Sequence, residues 1–264
     1  MLPIVALVYD FDHTLSKGDM QDFAFIPSLG MTPEAFWQKT AHTALENGMD
    51  SILASMYQML EETRKRGKAM TREYLMSLGQ SVQYYPGVAD WFEHVNSYAL
   101  SLGLKAEHYI VSAGMAEIIE GTPIAGAFAR IYACRYRYNE QGVADWPAQS
   151  VNYTGKTQFL SRISKGVTEL TNEAAVNAAM PDHERRVPFT RMMFIGDGMT
   201  DVPAMRYTRI NGGRAVAVYT KEDVAATLLR GGRVDYTAPA DYRAGSLLDS
   251  YVRRWLMEVA EGIQ

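Results

Sequence analysis

Cysteine is nearly absent. Cys134 is the only one in 264 residues, so no intramolecular disulfide can staple the fold, which fits a reducing compartment. The five histidines, at 13, 42, 94, 108 and 183, show no zinc-type spacing. No stretch approaches the roughly 18 unbroken apolar residues of a membrane span. The opening "MLPIVALVYD" has no basic flank, and its apolar run is too short for a secretion signal. The "NYT" at 152–154 matches a glycosylation acceptor without that signal beside it. There is no excess of positive charge either. The formal net charge is -4, which points to neither a nucleic-acid nor a membrane partner. Internal repeats and low-complexity tracts are also missing. The expectation is a soluble, cytoplasmic protein.

Hydrophobic residues make up 47% of the chain, enough at this length for a sizeable core without staples. "IVALVY" (4–9) is a short, nearly continuous apolar run rich in β-branched residues, as suits a strand buried on both faces of a parallel sheet. "HYIVSAG" (108–114), "RMMFIGDG" (191–198) and "GRAVAVY" (213–219) repeat the pattern, each followed by a helix-like segment. That alternation predicts an α/β fold with a mostly parallel sheet. Residues 16–84 read as helices only, at 32–48, 50–67 and 71–80, with cap residues at their starts. This block is expected to be a helical insertion after the first strand, with residues 1–15 and 85–264 as core. "ARIYACRYRYNEQGVA" (129–144) alternates around a turn and reads as a hairpin or an edge strand. Residues 166–188 show no readable period.

Ligands of an open α/β sheet bind beyond the carboxyl ends of its strands. The first strand delivers Asp10 and Asp12 there, two apart, so extended chain turns both carboxylates to one side and Phe11 to the other. Ser112 and Gly114 close the second strand, and "GDGMTD" brings Asp197 and Asp201. Lys156 opens a helix after "NYTG". Four carboxylates in one cleft repel, and some stay protonated unless a cation relieves them. Carboxylates with a backbone carbonyl describe a magnesium site, and magnesium with a lysine and a hydroxyl suits a phosphate dianion. The "GKT" at 155–157 is not a P-loop, because position 150 is Ser where a Gly is needed. "CRYRYN" (134–139) mixes Arg and Tyr but carries no RNA-binding signature.

Taken together, "DFDHT" (10–14), Ser112 in "IVSAG", Lys156 in "TGKTQFL" and "GDGMTD" (196–201) resemble, in order, the four signatures of the haloacid dehalogenase superfamily. The resemblance implies a Rossmann-like three-layer core with a small all-helical cap after the first strand, as in its phosphoserine phosphatase-like branch. It implies a magnesium-dependent phosphatase acting on a small phosphorylated substrate. Asp10 resembles the nucleophile that becomes an aspartyl phosphate, and Asp12 the general acid and then base. Asp10, Asp12 through its carbonyl, Asp197 and Asp201 resemble the metal set. Thr14, Ser112 with Ala113 and Gly114, and Lys156 resemble the groups that hold the phosphoryl oxygens. An acid at position 12 argues against dehalogenation, since the dehalogenase branch has none there. Asp19 falls at the offset where the phosphoserine phosphatase-like branch recognises a substrate amino group, Asp22 is a second candidate, and a plain N-cap role explains Asp19 as well. Arg64 and Arg66 are expected to be a solvated helix end or to reach the cleft from the cap. A phosphotransferase using another acceptor alcohol, or an idle phospho-ligand binding protein, would share these motifs.

Overall fold

The computed structural model describes residues 2–262. Seven strands form one sheet: β1 (Ile4–Tyr9), β2 (Lys105–Met115), β3 (Phe128–Tyr138), β4 (Ala144–Gln149), β5 (Met192–Gly196), β6 (Arg214–Tyr219) and β7 (Tyr236–Pro239). Their order is β4-β3-β2-β1-β5-β6-β7. Every neighbouring pair is parallel except β3 with β4. The apolar run predicted as the first strand is β1, and Val5 to Tyr9 are fully buried. It lies at the centre, with β2 on one side and β5 on the other, and the order of strands reverses there. A cleft therefore opens beyond Tyr9, where the loops after β1, β2 and β5 diverge.

The chain between β1 and β2 is helical, as expected. It carries α1 (Met20–Phe23), α2 (Phe25–Ser28), α3 (Pro33–Asn47), α4 (Ser51–Lys65), α5 (Arg72–Leu78) and α6 (Val88–Ser101). The boundaries follow their caps. The Thr32 hydroxyl accepts from Ala35 N–H ahead of Pro33, and the Asp50 carboxylate accepts from Ile52 and Leu53 N–H. Gly48 ends α3 in the left-handed region at φ 58°. The insertion has a paired stem: Lys17 N–H donates to Gln83 O at 2.9 Å, and Tyr85 N–H to Leu15 O at 3.0 Å.

The remaining helices are α7 (Ala116–Glu120), α8 (Lys156–Lys165), α9 (Glu173–Asn177), α10 (Val202–Ile210), α11 (Glu222–Arg230) and α12 (Leu247–Glu261). α6 and α12 pack together on one face of the sheet, α8 and α10 on the other, which gives three layers. The expected turn after β3 makes a hairpin: the Asn139 side chain accepts from Gln141 and Val143 N–H, and Gly142 adopts φ 72°. Its second strand, β4, is the antiparallel edge and carries Pro147, tolerable only on an edge. The hairpin supports the helical insertion, since Ala144 N–H donates to Met70 O and Tyr136 O–H to Met56 O.

Residues 166–188 hold one short α-helix, α9, and a single 3-10 turn at Asp182–Glu184, and α9 is kept in place by cations rather than by an apolar face. Arg162 donates to the carbonyls of Glu169 and Leu170, and Lys165 to those of Val176 and Ala178. Cys134 is buried and free, its thiol pushed up to about 12 by burial. Among the described residues, no helix is long and apolar enough to cross a membrane.

Candidate active site

β1 ends at Tyr9, but its pairing with β5 continues one residue, through Asp10 N–H to Ile195 O at 2.9 Å. Asp10 is thereby fixed at the central strand's end. Its Oδ1 accepts from Phe11 N–H at 2.7 Å, and its Oδ2 meets Lys156 Nζ at 2.8 Å. Phe11 turns into the core and is fully buried. Lys156, at the start of α8, is buried as well, and its ammonium also donates to Asp201 Oδ1 at 2.6 Å. Burial alone would discharge this lysine. The two carboxylates outweigh that and hold it charged.

Asp201 is fully buried and both its oxygens are engaged. Oδ1 takes Lys156, while Oδ2 accepts from Asp197 N–H at 3.2 Å and Gly198 N–H at 3.4 Å. Its carboxylate thus shapes the loop that presents Asp197. Asp197 Oδ1 accepts from the Thr14 hydroxyl at 3.3 Å. Burial, and then the negative charge of Asp10, lift Asp197 to about 6. A carboxyl lifted by burial and by a like charge is one that a bound cation would return to its ionised form. One oxygen each from Asp10, Asp197 and Asp201 lies within 4.8 Å of the others. An all-oxygen set this close fits a hard divalent cation such as magnesium. Asp10 and Asp197 would hold it, with Asp201 behind them.

Asp12 stands on the other side of the loop. Its Oδ1 accepts from Met20 N–H at 3.0 Å and from the Ser16 hydroxyl at 3.4 Å. Burial, then the charges of Asp19 and Asp10, push its carboxyl well above the usual range. Ser112 is buried at the end of β2, and its Oγ accepts from Gly114 N–H at 3.1 Å. Gly114 gives room rather than bonds: a β-carbon there would run into the Met20 side chain and approach Asp12 Oδ2. Asp10, Asp12, Ser112, Lys156 and Asp197 all line one cleft of about 330 Å³. The sequence expectations converge there, with exceptions.

Thr14 is fully buried and serves Asp197 instead of lining the cleft. Asp19 occupies the N-cap position of α1, yet its side chain makes no capping bond. It lies 3.6 Å from His13 Nε2, and this carboxylate lifts His13 to about 9. His13 is the one non-glycine with positive φ among the described residues, at 56°, and it lines the cleft. Asp22 accepts from Trp37 Nε1–H at 2.9 Å, a bond that ties α1 to α3. Arg64 pairs with Glu61 and Arg66 with Glu62, and neither lines the cleft.

A second cavity of about 300 Å³ adjoins the first under α3 and α4, sharing Asp12, Asp19, Ile52 and Ala113 with it. Gln21 and Trp37 line it, and neither was picked out in the sequence, because a lone glutamine and a lone tryptophan on helices carry no motif. Tyr242 is another silent contributor: its hydroxyl donates to Thr14 O at 2.8 Å and braces the loop after β1 from 228 residues away.

Residues 7–206 match the family described as haloacid dehalogenase-like hydrolase. An uncharacterized protein of Borreliella burgdorferi is 26% identical over 97% of this chain and 96% of its own length. A haloacid-dehalogenase-family hydrolase of Salmonella enterica superposes with a TM-score of 0.61 at 15% identity, over 97% of this chain and 72% of that one. A phosphoserine phosphatase caught as a phospho-aspartyl intermediate analogue superposes with a TM-score of 0.57 at 15% identity, over 95% and 98%. At such identities the structural likeness speaks for the fold.

Proposed function

The chain belongs to the haloacid dehalogenase-like hydrolase family, and on that premise we propose that it is a magnesium-dependent phosphatase that hydrolyses a small phosphomonoester through an aspartyl phosphate on Asp10. The observation that carries the reading is the placement of Lys156. Its buried ammonium sits between Asp10 and Asp201, with Asp12 and Asp197 on the same cleft.

Asp10 is the nucleophile. A carboxylate oxygen attacks phosphorus, the bond from phosphorus to the ester oxygen breaks, and Asp12 gives its proton to the departing alkoxide. Asp12 is then positioned to take a proton from water as that water's oxygen attacks phosphorus, which frees Asp10 and inorganic phosphate. Lys156 and Ser112 hold the phosphoryl oxygens in line, so positioning and charge compensation supply the rate. A magnesium ion, which Asp10 and Asp197 would hold, would supply positive charge to offset the phosphoryl group. Thr14 and Asp201 orient Asp197. Residues 16–84 act as the cap over a core of 1–15 and 85–264, and exclude water from the closed cleft. The phospho-aspartyl analogue of a structural neighbour supports the covalent route.

The test is phosphate release from p-nitrophenyl phosphate with magnesium present. We expect turnover by the wild type and none above background by Asp10→Asn. Undiminished release by that variant would overturn the mechanism.

A further inference from the structure

The cavity under α3 and α4 has a chemistry of its own. It opens on Asp12, the group that faces the leaving alcohol in the proposed reaction, so it is the space into which that alcohol projects. We infer that this chamber selects a phosphorylated amino alcohol, that is, a leaving group that carries a cation and no carboxylate. The inference rests on the phosphatase reading and names the substrate class of the same site.

Charge comes first. Asp12 and Asp19 both line the chamber, and no Lys, Arg or His does among the described residues. The nearby cations are committed elsewhere. Lys39 and Arg66 are both bound by Glu62, and His13 meets Asp19 from the cleft side. A carboxylate on the leaving group would enter beside the Asp19 carboxylate and the acid Asp12, with no cation in the chamber wall to pair it, and a buried unpaired charge is strongly disfavoured. An ammonium would find the opposite.

The walls agree. Trp37 lines the chamber with its N–H already given to Asp22, so it offers a guest its π-surface, which attracts cations. Gln21 is only 4% exposed, it lines the chamber, and its amide oxygen, an acceptor, has no hydrogen-bond partner among the described residues. A buried amide left this way calls for a polar guest. Ala41, Ala44, Ser51 and Ser55 line the chamber beside the larger Ile52, Met56 and Met115. It holds about 300 Å³, room for a short amino alcohol and its N-methylated forms. Phosphoserine, the substrate in the name of a structural neighbour, brings the one group this chamber cannot pair.

Two esters that differ only by that group make the test: O-phosphoethanolamine and O-phosphoserine, with n-propyl phosphate as the uncharged control and magnesium throughout. We expect kcat/KM for phosphoethanolamine to exceed that for phosphoserine by about 100-fold, or about 2.7 kcal/mol, and to exceed that for propyl phosphate by about tenfold. Asp19→Asn should bring the phosphoethanolamine to propyl phosphate ratio toward one. Ser55→Arg, which puts a cation in the chamber, should move the preference toward phosphoserine. Equal or better turnover of phosphoserine by the wild type overturns the inference while the phosphatase reading stands. Should no ester turn over, p-nitrophenyl phosphate included, the phosphatase reading falls. Calorimetric titration of phosphoethanolamine and phosphoserine into Asp10→Asn then still decides the preference: tighter phosphoethanolamine supports it, and equal or tighter phosphoserine overturns it.

Discussion

Gly196 ends β5 against Asp201, and a β-carbon on Gly196 would overlap the Asp201 Oδ2 atom. The first glycine of "GDG" is therefore there to let a buried carboxylate fold back beneath its own strand. The second glycine is different. Gly198 has extended backbone, φ −139°, and a β-carbon on it would meet nothing closer than Thr200 Oγ1 at 3.8 Å.

The two glycines should separate experimentally. Gly196→Ala must displace a carboxylate already held by Lys156 and two backbone N–H groups, and we expect it to cost about 1–3 kcal/mol of stability. Gly198→Ala should stay within about 0.5 kcal/mol of wild type. Denaturant unfolding of both variants measures the contrast, and equal losses would contradict the packing described for Asp201.

Lys156 sets a second prediction. It compensates Asp10 and Asp201 in a buried place, so Lys156→Met leaves both carboxylates unpaired. We expect a loss of about 3–5 kcal/mol in stability. Turnover should fall by at least about 10²–10³-fold, the scale of removing one electrostatic partner of a transition state. Chemical denaturation and steady-state phosphate release report the two effects separately.

Much of this site is legible in the sequence because strand ends are local features. "DFDHT" and "GDGMTD" each follow an apolar run, so the strand pattern and the carboxylates point to one place. Lys156 is legible through its glycine-preceded helix start. Thr14 shows the limit. Its identity fits a phosphate-facing hydroxyl, yet three-dimensional packing buries it under Asp197 and has Tyr242 hold its carbonyl. Nothing at position 242 signals a partner at position 14. The chamber residues Gln21 and Trp37 are silent for a related reason. They matter through which side of a helix meets a cavity, and that side is set by the neighbouring helices. Residues 166–188 carry no period because arginine and lysine bonds to carbonyls hold them.

His108 predicts a pH effect on folding. It is buried between Tyr9 and Asn96, with Nδ1 at 3.0 Å from the Tyr9 hydroxyl and Nε2 at 3.2 Å from Asn96 Oδ1. Burial lowers it from 6.5 to about 3. The unfolded chain therefore binds a proton that the folded protein refuses across that window. The stability due to neutral His108 is fully present above about pH 6.5 and is lost as pH falls toward 3, on the order of 3–5 kcal/mol in all. His108→Gln removes the titration. With magnesium present to keep the site aspartates ionised, melting temperature against pH should slope less steeply between pH 6.5 and 4.5 in the variant than in the wild type. Parallel slopes would show that His108 is not the group responsible.

Magnesium distinguishes ligand from support within the acidic set. A ligand that binds only the folded state raises stability by about 2.7 kcal/mol at a hundred times its dissociation constant. Asp10, Asp197 and Asp201 each bring an oxygen to the shared space, and burial together with the charge of Asp10 lifts Asp197. Both oxygens of Asp201 are already spent on Lys156 and on the N–H groups of Asp197 and Gly198. We therefore expect magnesium to raise the melting temperature of the wild type, and chelator to reverse the gain and stop turnover. Asp197→Asn should abolish the magnesium-dependent rise. Asp201→Asn should lower the starting stability, since it weakens the partner of a buried lysine, but keep a measurable rise, because the direct donors remain. An Asp201→Asn protein indifferent to magnesium would make Asp201 a direct ligand and require its carboxylate to leave Lys156 when the ion binds.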